Sequence, residues 1–296
     1  MAKPTTLTGY SEAVTRNCER VLVTLLRNLG PWKKSVFLIG GLTPRYLVRA
    51  KPPEVPQHAG TLDLDVVIDL VILEDTDAYR SLEENLKKIG FERAENEKGQ
   101  KQSWRWKIRM EDGTLIILEL LADKPELRGG KVEPLPTEGQ ISALNIPYSS
   151  IVFDLHETVD IQAELLDEKG VATETIRFAN IVSFTCLKAL AFDDRAERKD
   201  AHDLVYCIEN APGGIDSVVT AFREQRNGKY AGVIESACAI LRDRFVTDEG
   251  AEGYRKDGPV AVAQFEIGED PDARESRFLR QRAVAEVIEE LIRSMG

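Results

Sequence analysis

Four cysteines and three histidines in 296 residues leave little with which to build a disulfide scaffold or a zinc site. Cys18, Cys186, Cys207 and Cys238 lie far apart and form no C-x-x-C pair, so neither framework is expected, and a reducing cytoplasm is the expected compartment. Long apolar runs are also missing. None reaches the roughly 18 residues of a membrane span, so no membrane partner is expected. The opening residues MAKPTTLTGYSEAV lack the apolar core of a signal peptide. Positive charge is short as well. Thirty-nine Lys and Arg face 50 Asp and Glu, a net charge of −11, which speaks against a simple basic nucleic-acid binder. Repeats and low-complexity tracts are absent. What is present, 43% hydrophobic and 30% charged residues, is the composition of a folded globular chain. At roughly 150 residues per domain its length suits two domains.

Periodicity supplies the elements. Residues 11–29 carry Val14, Cys18, Val21, Leu22 and Leu25 on one helical stripe, which Gly30-Pro31 ends. Residues 35–39 (SVFLI) form a buried strand, followed by Gly40-Gly41 and a helix start at Thr43-Pro44. The three prolines of 51–60 make a loop. Residues 62–70 alternate: Leu62, Leu64, Val66, Ile68 and Leu70 share one face, and Asp63, Asp65, Val67 and Asp69 the other. An amphipathic helix is predicted at 77–89. A hairpin of strands 103–110 and 114–121 turns at Glu111-Asp112-Gly113. A loop at 125–147 and strands near 150–154, 158–164 and 174–178 follow. Helices are predicted at 180–192, 198–210, 215–224, 230–244 and 272–294. The strand-bearing half thus ends near residue 175.

Four features point to chemistry. In Asp63-Leu64-Asp65 the strand period of two places both carboxylates on one face, where they repel unless a cation lies between them. A hard, oxygen-seeking ion such as Mg²⁺ is the natural occupant, and a solvated strand face is the plain alternative. Asp69 lies further along that face. Glu119 interrupts the apolar run of 115–121; it is either a third oxygen ligand or the ion-pair partner of Arg105, Lys107 or Arg109 across its own hairpin. Gly40-Gly41, between strand and helix, lets backbone approach a phosphate, and Arg45 and Arg49 follow in the same helix. Lys188 sits in the apolar helix FTCLKALAFDD, either snorkelling outward or pointing into a site. Beyond it come Arg195, Arg198 and the stretch KDAHDL, where Lys199 can pair with Asp203 at i,i+4 and Asp200 lies beside them. Surface ion pairs are the default for that stretch.

In this order, over roughly residues 35–210, Gly40-Gly41, Thr61-Leu62-Asp63-Leu64-Asp65, a later acidic strand, Lys188 and Arg195…Lys199-Asp200…Asp203-Leu204 resemble the AbiEii-type nucleotidyltransferases. These are toxins of abortive-infection and type IV toxin–antitoxin systems, the MenT toxins among them. The resemblance implies an α/β fold: a DNA-polymerase-β-type core with a mixed sheet over residues 1–175 and a helical C-terminal domain over 176–296. It implies Mg²⁺ on Asp63 and Asp65, with Glu119 as a candidate third ligand, and an NTP held by Gly40, Gly41, Thr43, Arg45 and Thr61. Lys188 would contact the phosphates. Asp203 would be the last acidic motif, activating the acceptor or orienting Lys188. The implied activity moves NMP from the NTP to a macromolecule such as the tRNA 3′ end, in a phage-defence toxin with a cognate antitoxin. The proline-rich loop makes the connection from glycines to D-x-D longer than in most relatives.

Acceptor and activity remain open at this level. The basic stretches 31–51 and 98–109 each hold five Lys or Arg and no acid, which favours a nucleic acid. Trp104 and Trp106 lie in the second, where alternation makes core the commoner fate of such rings. The acidic balance instead favours a small cationic acceptor such as an antibiotic, and a protein hydroxyl is a further acceptor. A non-catalytic nucleotide-binding module is the third reading.

Overall fold

The structure, a computed structural model, describes residues 4–69, 82–135 and 140–296. It divides into two compact units, neither continuous in sequence. One comprises Glu12–Thr43 and Gly60–Ala179; the other comprises Met1–Ser11, Pro44–Ala59 and Asn180–Gly296. The expected boundary at 175 and 176 falls inside a strand. The change comes at Asn180, whose side-chain oxygen accepts from the backbone N–H groups of Val182 and Ser183 and starts a helix there.

The first unit is a mixed sheet with helices. Its strands are β1 (Val36–Ile39), β2 (Asp63–Ile68), β3 (Glu92–Glu95), β4 (Lys101–Arg109), β5 (Leu115–Ala122), β6 (Val132–Pro134), β7 (Ser142–Asn145), β8 (His156–Glu164) and β9 (Val171–Ala179). The main order is β3-β4-β5-β2-β1-β9-β8, with β7 also beside β5 and β6 beside β7. β2 runs parallel to β5 and antiparallel to β1, and β1 runs parallel to β9. One face is an apolar core in which Trp106, Leu118 and Leu64 form a continuous cross-strand row, each fully buried. α1 (Glu12–Leu29) buries Cys18, Val21, Leu22 and Leu25 as the stripe predicts, while Val14 is only half-buried. α2 (Leu82–Ile89) buries Leu82, Leu86 and Ile89; the earlier part of its expected span, and Leu70 of the expected strand, lie outside the described residues.

The second unit is helical: α3 (Ile181–Arg195), α4 (Arg198–Glu209), α5 (Gly214–Gln225), α6 (Ala231–Phe245), α7 (Asp257–Ile267) and α8 (Arg274–Met295). Five of these match expected helices to within a few residues. Among the described residues no helix is long and apolar enough to cross a membrane.

The structure corrects several elements. Residues 151–154 form a helical turn, not a strand, because the carboxylate of Asp123 accepts from both the N–H and the hydroxyl of Ser150 at 3.1 and 2.5 Å. The expected loop at 125–147 contains β6 and β7; the Asn145 side chain organises it by donating to the carbonyls of Lys124 and Leu127. The helix expected from Thr43-Pro44 is only Pro44–Leu47, and Thr43 ends the preceding turn instead of capping the helix. β3 and α7 were not expected. α7 buries Ala261, Val262, Ala263 and Phe265, with too little polar contrast around its circumference to give a periodic signal.

Candidate functional site

The D-x-D strand lies at the centre of the sheet. Its register places Asp65 between Ile39 of β1 and Glu119 of β5, and Glu119 next to Arg105 of β4. Asp63 lies opposite Ile117, which lies opposite Lys107. Cross-strand partners share a face, so Asp63, Asp65, Glu119, Arg105 and Lys107 form two adjoining rows on one side. That side is not a solvated strand face here: Asp63 is 7% exposed and Val67 fully buried. The Thr61 hydroxyl accepts from the Asp63 N–H and donates to the Asp63 carbonyl, both at 3.1 Å, and so sets the entry into the strand. The Thr61 N–H donates to Thr15 Oγ1 at 3.2 Å, which ties that entry to α1.

Glu119 pairs with Arg105, Nε to Oε1 at 2.9 Å, although this N–H is not aligned for a hydrogen bond. The hairpin ion pair is therefore present. Among the described residues, Asp63, Asp65 and Glu119 do not bring three donor atoms within 4.8 Å of one another. Asp63 and Asp65 share a strand face two residues apart, and Glu119 is the cross-strand neighbour of Asp65.

Gly40 meets this row. It has φ of +74°, and a Cβ built on it would stand 2.8 Å from Cγ and 2.9 Å from Cβ of Asp65. Only glycine accommodates both that backbone conformation and that approach. The turn continues through Gly41 to Thr43, whose N–H donates to the Gly40 carbonyl at 3.2 Å. The Thr43 hydroxyl is buried and has no hydrogen-bond partner among the described residues, an unmet polar group beside the turn. Gly40→Ala should therefore cost more than about 1 kcal/mol and displace the Asp65 carboxylate. Urea unfolding measures the cost. A variant as stable as wild type would show that the turn and Asp65 are not packed in this way.

Lys188, Asp200 and Asp203 belong to the helical unit, and so does Arg45, which is half-buried on the short Pro44–Leu47 turn. Lys188 points inward. Its Nζ donates to Asp200 Oδ1 at 2.8 Å and to Asp203 Oδ2 at 2.7 Å. Asp200 also binds Arg195 at 2.6 Å, and Asp203 also binds Lys199 at 2.7 Å and His58 Nε2 at 2.8 Å. Lys188 is 7% exposed, Asp200 2% and Asp203 0%, so the default of surface pairs is overturned. Burial would raise the Asp203 carboxyl, but Lys188, Lys199 and His58 outweigh it and hold Asp203 well below the usual carboxylate range. Burial likewise works to lower Lys188, and its two aspartates overcome that and raise it. Lys199 goes the other way, lowered by burial despite Asp203. Burial pushes the His58 imidazole down to about 4.

A second layer surrounds this network. The ring of His58 stacks on that of His202 at 5.6 Å, and Tyr206 donates to the Pro56 carbonyl at 2.8 Å, which fastens the proline-rich loop. His202 Nδ1 lies 3.0 Å from Glu266, and Arg280 clamps both Glu266 and Glu209. Among the described residues, only His58, His202 and Asp203 bring three possible metal donors within 4.8 Å. A cation there would meet the ammonium groups of Lys188 and Lys199 on the same carboxylate, so the cluster is not read as a metal centre. Sequence reasoning missed His58, His202, Glu266 and Arg280. The one local signal was a histidine between two site aspartates in KDAHDL; nothing in the spacing connects it to residue 58, 266 or 280. The chain matches no model of a known protein family and no curated protein.

Proposed function

We propose that this chain is a Mg²⁺-dependent nucleotidyltransferase with a DNA-polymerase-β-type core, moving NMP from an NTP onto a macromolecular acceptor. The observation that carries the reading is the packing of the Gly40 turn against Asp65, beside a second carboxylate on the same strand face. Two carboxylates offer only oxygen, the donor set of a hard divalent cation and not of a thiophilic one. Asp63 and Asp65 would hold the ion, with Glu119 one strand away and engaged by Arg105. When bound, Mg²⁺ supplies charge neutralisation and Lewis-acid polarisation of a phosphoryl group. Gly40 keeps the backbone close enough for a phosphate to approach, and the unmet Thr43 hydroxyl is a donor for it. Lys188, the buried ammonium of the helical unit, is assigned to the nucleotide phosphates, and Asp203 holds it.

Arg105 and Lys107 favour a polyanionic acceptor, plausibly the tRNA 3′ end, because the register puts them on the same sheet face as the D-x-D pair. Trp106 is fully buried core, so it does not stack on bases. The net charge of −11 favours the second reading, a small cationic acceptor. A toxin role with a cognate antitoxin belongs to the first reading. Incubating the protein with each α-labelled NTP and Mg²⁺, together with total RNA, total protein or a panel of aminoglycosides, separates them. Label in RNA is the expected result. Label in the aminoglycosides alone would replace the acceptor, and nucleotide binding without transfer to any of them would leave a non-catalytic module.

A further inference from the structure

The first turns of α8 have inverted polarity. Every buried side chain of this helix comes from Val284 onward. Before that point the side chains that engage the rest of the helical unit are charged. Arg277 donates to the carbonyls of Gly268 and Asp270, and Arg280 clamps Glu266 and Glu209. The apolar side chains face solvent: Phe278 is 40% exposed and Leu279 61%. Among the described residues no other two exposed large apolar side chains are adjacent in sequence. An apolar pair on the outside of a helix whose inner side is polar marks a surface that a partner covers. The surface is also pre-organised. The Tyr254 ring meets Phe278 edge-on with centroids 5.1 Å apart, and the Arg282 guanidinium lies 4.8 Å from the centre of each ring. The Tyr254 hydroxyl donates to Glu252 and accepts from Arg255 Nε, both at 2.9 Å, which fixes that ring in turn. Little side-chain freedom is left to lose on docking.

Charge identifies the partner. Glu275, Phe278, Leu279 and Arg282 follow one another at i, i+3, i+4 and i+7, which is a single stripe along the helix. All four are exposed. Among the described residues Glu275 meets no cation and Arg282 no carboxylate, so the acid at one end of the stripe and the base at the other are both available. Read in the reverse direction, the stripe is its own complement. We propose that a second copy of this chain covers this face, α8 against α8 and antiparallel, with the twofold axis between residues 278 and 279. Phe278 then packs on Leu279 of the second copy and Glu275 pairs with its Arg282, and the symmetry makes each contact twice. A parallel pair would set each charge against itself. A polyanion such as RNA would meet Glu275 and gain nothing from Leu279, so the stripe suits a self-complementary protein surface better than a nucleic acid. The proposal is independent of the nucleotidyltransferase reading.

Sedimentation equilibrium of the full chain reads the association. The face is small, so wild type should pass from monomer to dimer at about 1–100 μM. Leu279→Asp should weaken the dimer at least about tenfold, because it sets an unpaired carboxylate against Phe278. Glu275→Arg and Arg282→Glu should each remain monomeric, since either homodimer would hold two pairs of like charges face to face. An equimolar mixture of these two variants should dimerise again, because every pair in the mixed dimer is of opposite sign. Melting curves equal to that of wild type show that these exposed substitutions act on docking and not on the fold. Leu279→Asp carries the test alone if a charge reversal fails to fold. A wild type that stays monomeric throughout, a dimer that Leu279→Asp leaves unchanged, or a mixture of the two folded charge variants that remains monomeric overturns the proposal. A monomeric wild type that binds single-stranded RNA or an acidic peptide, with binding lost in Leu279→Asp, would overturn it by giving the face to that partner.

Discussion

Asp203→Ala should destabilise the protein by about 3–5 kcal/mol, enough to abolish folding if its total stability is ordinary. Asp203 is fully buried and is the carboxylate shared by Lys188, Lys199 and His58. Its loss removes the ion-pair carboxylate of half-buried Lys199 and one of the two carboxylates of Lys188. Lys188→Met behaves differently. Both aspartates retain a cation, so the expected cost is about 1–3 kcal/mol, more than the near-zero cost that the helix pattern alone suggests. Urea unfolding of both variants, with unchanged m-values as the check on two-state behaviour, measures the contrast. Equal costs would mean that the network does not distribute charge as its distances indicate. A stable Asp203→Ala would mean that the carboxylate is not buried among these cations.

The same contrast bears on pH. Asp203 is held well below its unfolded value, so its contribution is fully present above the usual carboxylate range and is lost as pH falls from that range through the lower folded value. His58 titrates near 4 in the folded protein against about 6.5 in an unfolded chain. The unfolded state therefore binds more protons between those values, and stability falls as pH drops through that window. Both groups act in the same direction, so acid should weaken the helical unit, and urea unfolding at pH 7 and pH 4 measures the loss.

The parts of the fold that were legible in sequence are those with one buried and one exposed face. α1 and the β4–β5 hairpin are of that kind, and turn residues mark their ends. β2 was legible only in half: alternation separates Leu64 and Val66 from Asp63 and Asp65, but it cannot tell that Val67 on the carboxylate side is also buried. The three-residue β6 and four-residue β7 are too short for a period and lie among prolines and glycines. At the candidate site, D-x-D and Gly-Gly were legible because each rests on neighbouring residues. That Gly40 touches Asp65 depends on the antiparallel pairing of β1 with β2, across a connection of more than twenty residues. The inward direction of Lys188 was left open because an apolar helix can send a lysine either way; Asp200 and Asp203, a helix later, decide it.

Asp65→Asn should lower nucleotidyl transfer at least about a hundredfold while leaving thermal stability equal or slightly higher. The substitution keeps the shape of the side chain against Gly40 but removes one of two charges on a shared face, which relieves repulsion when no cation is bound. On the proposed assignment the same change removes a direct oxygen ligand of Mg²⁺. Even outer partners of metal ligands cost tenfold to a hundredfold, so a ligand itself should cost no less. Asp63→Asn should behave alike, and Glu119→Gln should lose less activity because Arg105 already engages that carboxylate. The decisive measurement is transfer of label from Mg²⁺-[α-³²P]NTP by wild type and Asp65→Asn side by side, with melting curves of both. Mg²⁺-dependent transfer by wild type, absent from an equally stable Asp65→Asn, is the expected result; full activity in Asp65→Asn would contradict the assignment of the D-x-D pair as the catalytic centre.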